Sequence, residues 1–168
     1  MALSAPFNLR GWIDEHRHLL KPPVGNAMIL NDNFMVMIVG GPNARTDFHV
    51  NPTEELYYQV EGDIVLRVRE NNQPRDIPIR QGEMFLLPAN VPHSPQRPPN
   101  TVGLVIEYKR PTSADDHMRW YCQKCGALVH DAQFHLVDLG KQIKPIIEEF
   151  KNNPEMRKCK ACGTVYEI

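Results

Sequence analysis

R-T-D-F-H-V-N-P-T-E-E-L-Y-Y-Q-V-E-G, the stretch from Arg45 to Gly62, places an imidazole at His49 and a carboxylate at Glu55 on either side of an Asn51-Pro52-Thr53 corner. Such a corner folds the chain back so that the two side chains can meet. On a strand alternate residues share a face, so Arg45, Asp47 and His49 point one way and Thr46, Phe48 and Val50 the other. An arginine then lies beside half of a metal site. Two protein ligands hold a catalytic ion loosely, and a second stretch, Gly82 to Arg97, supplies a third. It reads G-E-M-F-L-L-P-A-N-V-P-H-S-P-Q-R, with His93 as the ligand candidate and Arg97 four residues beyond it.

The sequence around these stretches has the texture of an all-β domain. Ala27 to Leu30, Phe34 to Val39, Thr46 to Val50, Leu56 to Val60, Ile64 to Arg69, Asp76 to Arg80, Glu83 to Leu87 and Val102 to Lys109 are short β-rich runs broken by Asn, Gly and Pro. Many short strands at intervals of about 8 to 12 residues predict a sandwich or barrel. Asn31-Asp32-Asn33, Glu61-Gly62-Asp63 and Asn71-Asn72 read as hairpin turns. Arg67 and Arg69, alternating with Leu66 and Val68, mark a strand with one wet face. Asn8 is placed to cap a helix whose apolar positions include Leu9, Trp12, Ile13, Leu19 and Leu20, and Pro22-Pro23 stops it. Past Pro111 the texture changes: Ser113-Ala114-Asp115-Asp116 reads as a polar linker, and a helix is predicted over about Lys141 to Lys151 with Pro145 near its start. Two units follow, a barrel over 1–111 and a small appendage over 112–168.

The 168 residues suffice for one well-buried core with some chain left over. A net charge of -1 lacks the basic footprint of a nucleic-acid binder. M-A-L-S-A-P-F-N-L-R has no basic region followed by an apolar run, and no stretch approaches the roughly 20 apolar residues that span a bilayer. The expectation is a cytoplasmic protein with a small partner, no nucleic acid and no membrane. All four cysteines fall in two Cys-x-x-Cys pairs, Cys122 with Cys125 and Cys159 with Cys162. In a reducing compartment these favour metal over disulfides. Gly126 and Gly163 follow the pairs and permit the tight turn that points backbone N–H groups at sulfur. Four thiolates suit zinc or a rubredoxin-like iron, in a closed shell that makes the site structural.

Two further residues stand out. Glu107 lies in the apolar run V-G-L-V-I-E-Y, where an ionised carboxylate is costly unless a cation, a metal or a substrate donor meets it. Arg97 lies in the proline-bounded loop P-Q-R-P-P, whose restricted backbone can hold a guanidinium still for bidentate grip on a carboxylate. Arg45 and Arg97 beside one metal predict an anionic substrate. The blander readings are ion pairs of these arginines with Asp47 or Glu54, and a structural salt bridge from Glu107 to an arginine. His16, His18, His117, His130 and His135 have no ligand spacing.

The two central stretches resemble the motifs of the cupin superfamily. His49, Glu55, Gly62 and, in the second motif, Gly82, Pro88 and His93 take the family positions, while Asn51 stands where a second histidine is usual. Two histidines and one carboxylate remain, a set that leaves about three positions of an octahedral ion open and suits non-haem Fe(II), though Mn, Ni, Co or Zn fit the same ligands. The runs Gly40-Gly41-Pro42-Asn43, Arg45 to His49, Asn51 to Glu55 and Leu87 to Pro95 resemble, more narrowly, the 3-hydroxyanthranilate 3,4-dioxygenase family, including the cysteine pairs of its short bacterial and fungal members. The resemblance implies a cupin double-stranded β-helix and Fe(II) ligation by His49, Glu55 and His93. It implies capture of the substrate carboxylate by Arg45 and Arg97, with Glu107 and Glu55 also facing the substrate and Glu107 assisting proton transfer. It further implies 3-hydroxyanthranilate and O2 as substrates, 2-amino-3-carboxymuconate semialdehyde as product, a second iron at the cysteines and a homodimer. A cupin isomerase and a non-catalytic sensor would use the same barrel without needing O2.

Overall fold

The computed structural model describes residues 5–22, 25–137 and 139–168. Asn8 caps α1 (Leu9–His16), its side chain accepting from the Gly11 amide at 3.0 Å, and a 3-10 turn follows over Arg17–Leu20. Pro22 lies in a turn, and Pro23, the second half of the expected stop, is outside the described residues. The strands are β1 (Asn26–Asn31), β2 (Phe34–Gly40), β3 (Phe48–Val50), β4 (Glu55–Glu61), β5 (Ile64–Glu70), β6 (Gln73–Ile79), β7 (Met84–Leu87), β8 (His93–Gln96), β9 (Val102–Tyr108), β10 (Asp116–Tyr121) and β11 (Leu128–Phe134). A final helix, α2, spans Leu139–Asn152 with Pro145 inside it.

Two antiparallel sheets form, in the orders β1-β2-β9-β4-β7 and β11-β10-β3-β8-β5-β6. Period-2 alternation sends Met37, Tyr57, Leu87 and Val105 inward from the first sheet and Ile64, Leu66, Val68 and Ile79 inward from the second, where they share one core. Two antiparallel sheets closed on one core give the all-β barrel architecture expected from the sequence. On the outside of the first sheet, Ile13 and Leu20 pack on Ile38, Val60 and Val102, so the N-terminal helix covers part of that face. A second core lies beyond the barrel, where Trp120 stacks on Phe150 at 4.1 Å among Met118, Val129 and Tyr166.

The strands depart from the sequence reading in four places. The strand expected over Thr46 to Val50 is shorter, Phe48–Val50. Glu61-Gly62-Asp63 is not a hairpin turn but carries the chain from one sheet to the other, with Gly62 at φ 65. Asn71 and Asn72, by contrast, do turn the β5–β6 hairpin, both with positive φ. The segment leading to Arg97 is strand β8 rather than loop. Pro95 argues against a strand, but its missing N–H falls where β3 has ended, since the one β3–β8 pair is His49 with His93. Finally, Asp116 is no linker residue: it opens β10, whose alternation buries Asp116, Met118 and Trp120 and which pairs with β3.

Candidate active site

Sheet register assembles the site from two cross-strand pairs. His49 on β3 stands opposite His93 on β8, and Glu55 on β4 stands opposite Glu107 on β9. One pair comes from each sheet, and the Asn51-Pro52-Thr53 corner is the link that carries the chain between them. His49, Glu55 and His93 are all buried, and one ligand atom from each lies within 4.8 Å of the others. His93 Nε2 is 3.0 Å from the Glu55 carboxylate. Two imidazoles and a carboxylate this close, shielded from water, are the donor set of a divalent transition metal.

Directly opposed carboxylates repel, and the pair resolves this by splitting its affinities for a proton. Burial pushes Glu55 up, but the charge and hydrogen bond of His93 outweigh it and hold Glu55 down at about 2. Burial, reinforced by the Glu55 charge, pushes Glu107 up to about 7 against the pull of Arg110. Burial also lowers His49, which keeps its imidazole neutral and able to ligate. At neutral pH Glu55 is thus ionised while Glu107 exchanges a proton, the separation that acid–base sites use.

These groups line a cavity of about 860 Å³, together with Arg45, Arg97, Tyr57 and the α2 residues Ile143 and Ile147. Arg45 is held by Asp47, through Nη2 and through Nε at 3.1 Å, so the bland ion pair exists alongside the cavity position. Arg97 is different. The residue is 3% exposed, and its guanidinium makes one long contact with Gln59 Oε1 at 3.4 Å and leaves Nε and Nη2 with no hydrogen-bond partner. Burial lowers it to about 10, so it remains a cation at neutral pH. Gly103 makes the room, since a Cβ there would come within 2.8 Å of Arg97 Nη1. A buried cation with idle donors is costly, and an anion in the cavity is the group that would satisfy it. The Tyr57 hydroxyl, also buried and unpartnered, faces the same space.

The sequence profile of the 3-hydroxyanthranilic acid dioxygenase family matches residues 1–151. The chain belongs to this family. It is 56% identical over 163 residues to the 3-hydroxyanthranilate 3,4-dioxygenase of Neurospora crassa, covering 97% of this chain and 91% of that one. It is 52% identical over 168 residues to the enzyme of the same name from Jannaschia sp. CCS1, covering 99% and 93%. Among solved structures, a cupin-2 domain protein from Shewanella frigidimarina NCIMB 400 aligns with TM-score 0.48 at 18% identity, over 57% of this chain and 91% of that one.

Beyond the residues that suggested the family, the barrel holds two that the sequence reading missed. Arg110 meets Glu107 at 2.5 Å, which is the salt bridge weighed as the bland reading of Glu107, and Asp116 lies 2.6 Å from His49 Nε2. Asp116 was legible in principle, since it shares the buried phase of β10 with Met118 and Trp120.

The four cysteines come together as a second cluster, with Cys122 and Cys162 sulfurs 3.6 Å apart and Cys125 and Cys159 sulfurs 3.7 Å apart. A tetrahedron of thiolates about 2.3 Å from one ion has edges of about 3.8 Å, so the spacing fits a metal. Gly126 and Gly163, both at positive φ, close the two knuckles by donating to the Cys122 and Cys159 carbonyls at 2.8 Å. Backbone N–H groups of Cys125 and Lys124 lower the Cys122 thiol, and Thr164 brings Cys162 down to about 6. At Cys125 the Ala127 backbone N–H is outweighed by the neighbouring Cys162 and Cys122 sulfurs, which push it up to about 12, so the metal-free sulfurs divide into thiolate and thiol.

Proposed function

We propose that the chain is an Fe(II)-dependent, ring-opening dioxygenase that converts 3-hydroxyanthranilate and O2 to 2-amino-3-carboxymuconate semialdehyde. Both oxygen atoms enter the product, so no external reductant is required. The product cyclises to quinolinate, a precursor of NAD. Arg97 carries this reading: a buried cation with idle donors, lining the same cavity as His49, Glu55 and His93, asks for an anionic substrate at a metal.

His49, Glu55 and His93 would hold the iron, whose supply of single electrons lets O2 react with an electron-rich ring. Arg97, with Arg45 beside it, binds the ring carboxylate and so fixes which edge of the ring faces the ligands. Glu107 accepts the proton of the ring hydroxyl and returns it to the product, a task suited to a carboxylate that titrates near neutrality. Met37, Val39 and Val105 line the wall and exclude water from the ring. The unit over 112–168 holds a second iron or zinc at its cysteines in a structural role.

The family resemblance also implies a homodimer, and the first sheet offers a surface for it. Leu86, Leu56, Ile106, Val36 and Leu30 are successive cross-strand partners in one apolar row over all five strands, flanked by exposed Met28, Phe34 and Tyr108. No helix among the described residues is long and apolar enough to cross a membrane, and a cytoplasmic setting suits the free thiols.

The test is O2 uptake by protein reconstituted anaerobically with Fe(II) and mixed with 3-hydroxyanthranilate in air. Stoichiometric uptake with growth of the semialdehyde's ultraviolet band is expected. No uptake at full iron occupancy would withdraw the activity.

A further inference from the structure

We propose that Asp116 and Arg110 are positioning residues of this site, holding the His49 imidazole and the Glu107 carboxylate in one buried chain of hydrogen bonds. The inference rests on His49 as a metal ligand and Glu107 as the proton-handling group.

Asp116 and the Arg110 side chain are both 0% exposed. Charges buried to this degree persist only when paired with good geometry and with their remaining hydrogen-bonding capacity filled. Arg110 fills its own. Nε donates to Asp116 Oδ1 at 2.7 Å and Nη2 to Asp116 Oδ2 at 2.9 Å, a bidentate grip. Nη2 also donates to Glu107 Oε2 at 2.5 Å, and Nη1 donates to Thr53 Oγ1 at 3.1 Å and to the Tyr108 carbonyl at 2.8 Å. A purely structural ion pair would end there.

The chain instead continues into the candidate metal site, because Asp116 Oδ2 also lies 2.6 Å from His49 Nε2. A carboxylate gripped by a guanidinium is ionised and only accepts, so the hydrogen sits on His49 Nε2. That assigns the tautomer and leaves Nδ1 as the ring nitrogen with a lone pair for a metal. The placement is enforced by the ladder, in which β10 lies beside β3 with Met118 opposite His49. One carboxylate therefore orients a ligand and, through Arg110, the side chain of Glu107.

Mn(II) is the probe, since it favours imidazole and carboxylate over thiolate and leaves the four-cysteine site alone. Its free fraction is read by electron paramagnetic resonance in protein freed of metal at the histidine site only. Asp116→Asn is expected to weaken Mn(II) binding by about 10- to 100-fold. Arg110→Lys, which keeps a cation beside Asp116, is expected to bind Mn(II) within about threefold of the parent yet lose about tenfold in kcat, because a lysine cannot grip both carboxylates. Wild-type Mn(II) affinity in Asp116→Asn overturns the role of Asp116, and wild-type kcat in Arg110→Lys overturns that of Arg110. Should Asp116→Asn not fold, long-range 1H–15N correlations of His49 in the unmutated protein, with zinc at the cysteines, decide the matter. An Nε2–H tautomer supports the chain, and an Nδ1–H tautomer refutes it. If the unmutated protein binds no Mn(II), the metal-site reading itself fails, a result distinct from either variant's.

Discussion

Arg97→Met tests the substrate reading with two opposite signs at once. In the free protein the guanidinium is buried with Nε and Nη2 idle and one long bond to Gln59. Replacing it by an apolar side chain of similar length removes an uncompensated charge, so the melting temperature should hold or rise. In the complex the same change removes charge-assisted hydrogen bonds to the substrate carboxylate, each contributing about 1.5–3 kcal/mol. At about 1.4 kcal/mol per decade, one such bond corresponds to about 10- to 150-fold in KM. The assay is steady-state O2 uptake with 3-hydroxyanthranilate, with 2-aminophenol, which lacks the carboxylate, as a competing ligand. The KM for the acid should rise while the inhibition constant of 2-aminophenol stays within about threefold. Equal weakening of both compounds, or an unchanged KM, would refute the clamp.

Other expectations concern neighbouring groups. Gly103→Ala places a Cβ within 2.8 Å of Arg97 Nη1 and Gln59 Oε1, both ends of flexible side chains, so the fold should survive while kcat/KM falls at least about tenfold through a displaced guanidinium; a wild-type value would show that Arg97 need not sit where it does. Burial puts Glu107 at about 7 in the metal-free chain, and the proposed role requires the ionised base, so kcat/KM should rise with pH along an acidic limb. Metal at Glu55 relieves the repulsion and moves that limb below 7, and persistence of the limb in Glu107→Gln would assign it elsewhere. Replacing Cys122 and Cys125 together by Ser should lower the melting temperature by about 5–10 °C with turnover per bound barrel iron near normal; a collapse of turnover at full iron occupancy would contradict a structural role.

Much of the candidate site was readable because its residue types are conspicuous in their local setting. His49 and Glu55 flank a proline corner, His93 and Arg97 share one proline-rich stretch, and Glu107 interrupts an apolar run. The cysteine pairs announce their own cluster. What sequence could not supply is register. That His49 faces His93 and Glu55 faces Glu107 depends on strands 44 and 52 residues apart in the chain, and no local pattern encodes it. Strand β8 escaped because Pro95 breaks the local rule and tertiary pairing overrides it. Arg110 and Asp116 escaped because a charged residue near a proline-bounded segment reads as surface, whereas here each is the other's burial partner.

The course of β10 has a mechanical consequence. Its first residue touches His49, and the residue after its last is Cys122, so one strand of six residues runs from the barrel site to the thiolate cluster. Shortening the chain ahead of residue 113 would therefore strip the neighbour from three-residue β3 and leave its amides as a raw sheet edge. Hydrogen exchange at Phe48 and Val50, whose backbone groups face β10, should thus accelerate when a chelator empties the cysteines, reporting at one end of the strand what is lost at the other.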